Sequence, residues 1–184
     1  MVYVFLADGF EEIEAMCPVD FMRRAGIEVT TVSINKTPAV RGSHNILVHA
    51  DTTAAALGDM GHSAQEMECV LLPGGMPGTA HLDENETVNA YLSVASLTGT
   101  YIAAICAAPS ILGRRGLLEG REATCYPGFE DRLTGARLSD KRVVRDGNII
   151  TAVAMGASAE FALEIIHALR GLDTANKVKE SVFV

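Results

Sequence analysis

A chain of 184 residues and 19.5 kDa is about one domain's worth of sequence, since a single hydrophobic core serves roughly 100–200 residues. Hydrophobic residues at 48% and charged residues at 21% exclude a disordered or low-complexity scaffold. A net charge of −8 leaves no positive field to gather phosphate backbones, so nucleic acid is excluded as a general partner.

In chain order, residues 2–7 predict a buried strand, followed by the acidic Asp8, Glu11 and Glu12 rather than by the flanks of a signal peptide. Residues 13–24 predict a helix, with Ile13 turning it to the buried side. Strands are expected at 27–34, 45–50 and 69–72, a helix at 88–97 and a strand at 101–105. A helix at 108–113 and a strand at 123–126 come next. Segments 142–145 and 148–153 flank Asp146-Gly147, a dipeptide suited to a tight hairpin. The last helix, 158–170, carries Phe161, Ile165, Ala168 and Leu169 at helical spacing and stops at Gly171. Alternating strands and helices predict a mostly parallel α/β sheet covered on both faces, in one domain spanning 1–184. The longest apolar stretch, 101–108, is far below the roughly 18 residues that cross a bilayer, so no membrane partner is expected. Cys17, Cys69, Cys106 and Cys125 include no CxxC pair and read as reduced thiols of a cytoplasmic protein.

In open α/β sheets ligands bind beyond the carboxyl ends of the strands. Three such ends carry unusual residues: Asp8-Gly9 before Glu11, Glu12 and Glu14; Pro73-Gly74-Gly75; and Cys106-Ala107-Ala108-Pro109. They are expected to converge. At the third, an apolar strand runs into a cysteine and then small residues, the thiol counterpart of a nucleophile elbow. A thiol beside unpaired helix N–H groups should titrate below its ordinary range. The plainer alternative is a small buried hydrophobe. The amides of Gly75 and Ala107 are candidate oxyanion donors. Glu11 and Glu12 suit a helix N-terminus, whereas Glu14 points to a different face, where a buried carboxyl could hold a proton beside the sulfur. His49, His62, His81 and His167 show no zinc spacing, and no phosphate-binding glycine loop is present, so neither metal nor organic cofactor is expected.

The blocks Ala7-Asp8-Gly9-Phe10-Glu11-Glu12-Ile13-Glu14, Pro18-Val19-Asp20, Leu71-Leu72-Pro73-Gly74-Gly75, Ala103-Ala104-Ile105-Cys106-Ala107-Ala108-Pro109 and Glu160-Phe161-Ala162-Leu163 are spread over nearly the whole chain. In these the sequence resembles the ThiJ/PfpI superfamily, in the DJ-one branch with its bacterial relatives. The resemblance implies a flavodoxin-like three-layer sandwich, a homodimer and an oxidisable cysteine. Carried over by position, Cys106 is the nucleophile, Glu14 its carboxyl partner, Gly75 and Ala107 the backbone donors, and Arg24 part of an anion-friendly rim. The activity implied is a cofactor-independent glyoxalase or deglycase acting on a small 2-oxoaldehyde such as methylglyoxal. Redox sensing or chaperoning through Cys106, and a cysteine peptidase or amidase, are the alternatives. Three positions depart from the branch. Tyr126 stands where a histidine base is common, His44 where relatives carry arginine, and Ala154-Met155-Gly156-Ala157 where a Gly-Pro-Gly-Thr stretch is usual. Without a base at 126, peptide hydrolysis is the weaker reading.

Overall fold

A computed structural model describes residues 1–57 and 65–184. Its strands are β1 (Val2–Leu6), β2 (Val29–Ser33), β3 (Ala39–Arg41), β4 (Leu47–His49), β5 (Thr52–Thr53), β6 (Cys69–Leu72), β7 (Tyr101–Ile105), β8 (Glu122–Ala123), β9 (Arg137–Leu138), β10 (Val143–Asp146) and β11 (Ile149–Ala152). Its α-helices are α1 (Glu12–Arg24), α2 (Gly78–Glu84), α3 (Glu86–Thr98), α4 (Pro109–Arg114), α5 (Ser158–Arg170) and α6 (Leu172–Ser181). The central sheet has the order β10-β11-β7-β6-β1-β2-β5. Every pairing in it is parallel except the β10–β11 hairpin, whose two-residue loop is Gly147-Asn148.

The inner strands β1, β6, β7 and β11 are apolar on both faces because both faces are covered. On β1, Val2, Val4 and Leu6 pack toward α1, α5 and α6, and Tyr3 and Phe5, with Ala7 just beyond the strand, pack toward α3 and α4. Ala103 and Ala104 of β7 divide between the same two layers, so the three-layer α/β architecture follows from the period-2 alternation. Among the described residues no helix is long and apolar enough to cross a membrane.

Four expectations need correction. Ile13 is half-exposed: the buried positions of α1 are Glu12, Glu14, Ala15, Pro18, Val19, Phe21 and Met22, so the face entering the protein at its first turn carries carboxylates. Segment 45–50 does not join the central sheet, because β4 pairs antiparallel with β3 in a separate hairpin. Segment 123–126 stays a strand only through Ala123, where the chain bends toward Cys106. Helix α6 was not expected, being mostly polar in sequence.

Candidate active site around Cys106

Strands β1, β6 and β7 are neighbours, so the segments leaving their carboxyl ends meet. The Glu11 amide donates to the Gly74 carbonyl (3.0 Å), and the Gly78 amide to that of Gly9 (3.3 Å). Cys106 sits in the third segment with φ +64°, a left-handed conformation that costs a non-glycine residue about 1–3 kcal/mol. Its amide donates to the Ala152 carbonyl (2.9 Å), and its own carbonyl accepts from the Tyr126 amide (2.8 Å). These two bonds hold the turn against its strain and leave the thiol half-buried at the carboxyl end of β7.

Glu14 reaches the same point from the first turn of α1 and is 1% exposed. Its carboxyl hydrogen-bonds the Cys106 sulfur and accepts from the amides of Gly74, at 2.9 Å, and Met155. Burial pushes the carboxyl up to about 7. The bond to Cys106 opposes the rise, and the nearby Glu11 charge adds to it. The amides of Ala107 and Gly75 hydrogen-bond the sulfur and favour its anion.

The expected low-titrating thiol is not found. Burial first, and then the charge and hydrogen bond of Glu14, push Cys106 up to about 12. The helix that follows, α4, starts three residues on and spans only six. Removing the thiol proton while Glu14 is ionised places two anions in contact. Moving one shared proton from sulfur to Glu14 creates no such repulsion, so tautomerism within the pair is a route to a thiolate that needs no second proton loss.

The other expected residues divide. Tyr126 touches the elbow through its backbone, while its half-exposed ring packs edge-on against Phe129 at 6.4 Å. His44 lies at the tip of the β3–β4 hairpin and turns its ring to Glu12, with Nδ1 2.9 Å from Oε2. Arg24 does not reach the rim within this chain: it closes α1, ten residues and about 15 Å beyond Glu14 along the helix, and pairs with Asp20 at 2.6 Å. Glu12 is no solvated helix-dipole residue. Burial works against its charge, yet the His44 ring and the amides of His44 and Ile46 hold it below the ordinary carboxylate range.

Cys69 is fully buried and pushed up to about 12, and burial pushes Cys17 and Cys125 each up to about 11. They stay neutral thiols. His81 contacts the Asp8 carbonyl through Nδ1 at 3.1 Å, His49 that of Ala50 at 3.1 Å, and His167 lies 3.6 Å from Glu164. His62 lies outside the described residues. Among the described residues the donor atoms of Glu11, Glu12 and His44 lie within 4.8 Å of one another, and His44 Nδ1 is 2.9 Å from Glu12 Oε2.

Two participants were missed. Gly74 was noted only as part of a turn and Met155 only as a departure from the usual pattern, yet both aim amides at Glu14. Gly74 is also required sterically, since a Cβ there would stand 2.6 Å from Glu14 Oε2 and 2.7 Å from Cys106 Cβ.

The profile of the DJ-1/PfpI family matches residues 1–168. The chain belongs to this family. Among DJ-1/PfpI relatives, the dj-1beta protein of Drosophila melanogaster is 36% identical over 183 residues, covering 98% of this chain and 95% of that one. A deglycase of Pyrococcus abyssi is 30% identical over 172 residues, covering 92% and 99%. The solved structure of oxidized DJ-1 from Toxoplasma gondii superposes with a TM-score of 0.91 at 35% identity, covering 99% of this chain and 97% of that one. The flavodoxin-like sandwich is thus the fold of the chain.

Proposed function

We propose that this chain is a cysteine-dependent, cofactor-independent glyoxalase or deglycase-type enzyme acting on methylglyoxal-like 2-oxoaldehydes. The observation that carries the reading is the buried Glu14 carboxyl hydrogen-bonded to the sulfur of a strained Cys106. The name of the archaeal deglycase relative supports it.

In this mechanism Glu14 takes the thiol proton as sulfur adds to the aldehyde carbon, forming a C–S bond and an alkoxide faced by the amides of Gly75 and Ala107. Protonation gives a hemithioacetal. Glu14 then removes the proton from the former aldehyde carbon, and a proton returned to the adjacent carbon leaves a 2-hydroxyacyl thioester. Water cleaves the C–S bond, releasing the hydroxy acid and restoring the thiol. Aldehyde plus water become hydroxy acid, with no outside oxidant and no metal.

The second reading is a redox sensor or chaperone, in which peroxide oxidises Cys106 to a sulfinate held by protonated Glu14. Its support is the oxidized state of the solved Toxoplasma relative. A peptidase or amidase mechanism is disfavoured because Tyr126 is no base and His44 is committed to Glu12. In either supported reading the single domain works as a cytoplasmic homodimer, its partner face including the exposed Ile13, Ile46, Leu47 and Met155.

Stoichiometry tests the proposal. The enzyme is expected to form many lactates per Cys106 from methylglyoxal, measured by lactate assay. At most one event per site, with Cys106 gaining two oxygens under mild peroxide by intact mass, would instead make it a sensor.

A further inference from the structure

We propose that His44, in its protonated form, is a positioning residue that fastens the β3–β4 hairpin over Glu11 and Glu12 and thereby sets how readily Glu14 keeps the proton it shares with Cys106. The inference rests on the Cys106–Glu14 pairing of the proposed function.

The hairpin tip is stapled to the loop entering α1. The Gly9 amide donates to the Arg41 carbonyl (2.8 Å) and the Ser43 amide to that of Phe10 (2.8 Å). A Cβ at Gly42 would overlap the Glu12 carboxylate, so only glycine lets the tip lie flush against it. The His44 amide then donates to Glu12 Oε1 at 2.8 Å while its ring meets Oε2. Glu11 joins this cluster to the catalytic pair. One of its oxygens lies 3.9 Å from His44 Nδ1, and the other accepts the Glu14 amide at 2.8 Å. The titratable groups facing His44 are therefore Glu12 and Glu11. Arg41, on the same hairpin, turns its guanidinium to Asn45 at 2.8 Å. Those facing Glu14 are Cys106 and Glu11.

The sign follows from these contacts. The hydrogen bond and charge of Glu12 favour the His44 cation, so His44 stays charged to higher pH than a free imidazole. While charged, it offsets part of the Glu11 field, and Glu14 ionises more easily. Once His44 loses its proton, Glu11 stands uncompensated and Glu14 retains its proton to higher pH. The coupling buffers the protonated carboxyl, the form that accompanies a Cys106 thiolate.

The test follows the Glu14 carboxyl carbon by ¹³C NMR from pH 5 to 9 in the full chain, assigned with Glu14→Gln. In His44→Gln the Glu14 midpoint is expected to rise by about 0.3–0.5 pH unit, the size appropriate to a solvated charge acting through an intervening carboxylate. In His44→Arg, which keeps the cation at all pH values, the midpoint should return to or below that of the wild type. Equal midpoints in all three proteins, or a rise that arginine does not reverse, would overturn the inference. Cys106 alkylation by iodoacetamide, recorded alongside, separates the two readings. If the Glu14 midpoint moves and the alkylation profile does not, His44 acts as inferred while the Cys106–Glu14 pairing fails.

Discussion

Replacing Cys106 by serine is expected to abolish lactate formation from methylglyoxal, and replacing Glu14 by glutamine to lower kcat by about 10²–10⁴-fold, the worth of a positioned proton carrier. The two variants differ in what happens to the thiol. Glutamine carries no charge, so it removes the anion that pushes Cys106 up and still offers an N–H to the sulfur. The Glu14→Gln protein should therefore be alkylated by iodoacetamide at lower pH than the wild type while turning over far more slowly. That opposition isolates proton transfer from thiolate supply. Parallel changes in alkylation and turnover would assign Glu14 to tuning the sulfur alone.

The same variant has a predictable effect on stability. Glu14 ionises near its ordinary 4.5 when unfolded and near 7 when folded, so ionisation opposes the folded state. The stability conferred by the neutral carboxyl is fully present below pH 4.5 and declines as pH rises toward 7, by up to about 3 kcal/mol. Glu14→Gln is expected to melt above the wild type at pH 8, and the gap should close toward pH 5. A residue retained at a cost in stability fits a chemical role better than a packing one.

The parts of this site that local sequence announces are the ones that one element fixes alone. An apolar strand ending in Cys106 and small residues points to an elbow over a small buried hydrophobe, and three carboxylates within four positions at a helix start mark where α1 meets it. The period-2 alternation of β1 and β7 exposes the sheet in the same way. What stayed hidden depends on partners distant in sequence. Ile13 looked buried because it is apolar, but the rotation of α1 is set by Glu12 meeting His44 and Glu14 meeting Gly74, contacts spanning 32 and 60 residues. Arg24 matched a motif position, yet helix rise carries it far from Glu14. The thiol's titration turned on burial and on a neighbouring carboxylate, which a strand-turn-helix pattern does not record.

Gly74→Ala is expected to damage the site directly, because the added methyl lands between the two groups of the Cys106–Glu14 pair. Its Cβ would have to fit between Glu14 Oε2 at 2.6 Å, Cys106 Cβ at 2.7 Å and the Ile105 carbonyl at 2.9 Å, all below the separation that real Cβ atoms show. Two of these groups cannot yield cheaply. Ile105 is wholly buried at the end of β7, and Cys106 is pinned by backbone bonds on both sides. The carboxyl is the group free to move, and moving it breaks both the sulfur contact and its bond from the Gly74 amide. Overpacking of this kind costs about 1–3 kcal/mol, read as a lower urea midpoint at unchanged slope. Because the displaced group is the proposed proton carrier, turnover should fall about 10²-fold or more even where the protein remains folded. Wild-type turnover in a folded Gly74→Ala protein would mean that Glu14 does not act from the position it occupies here.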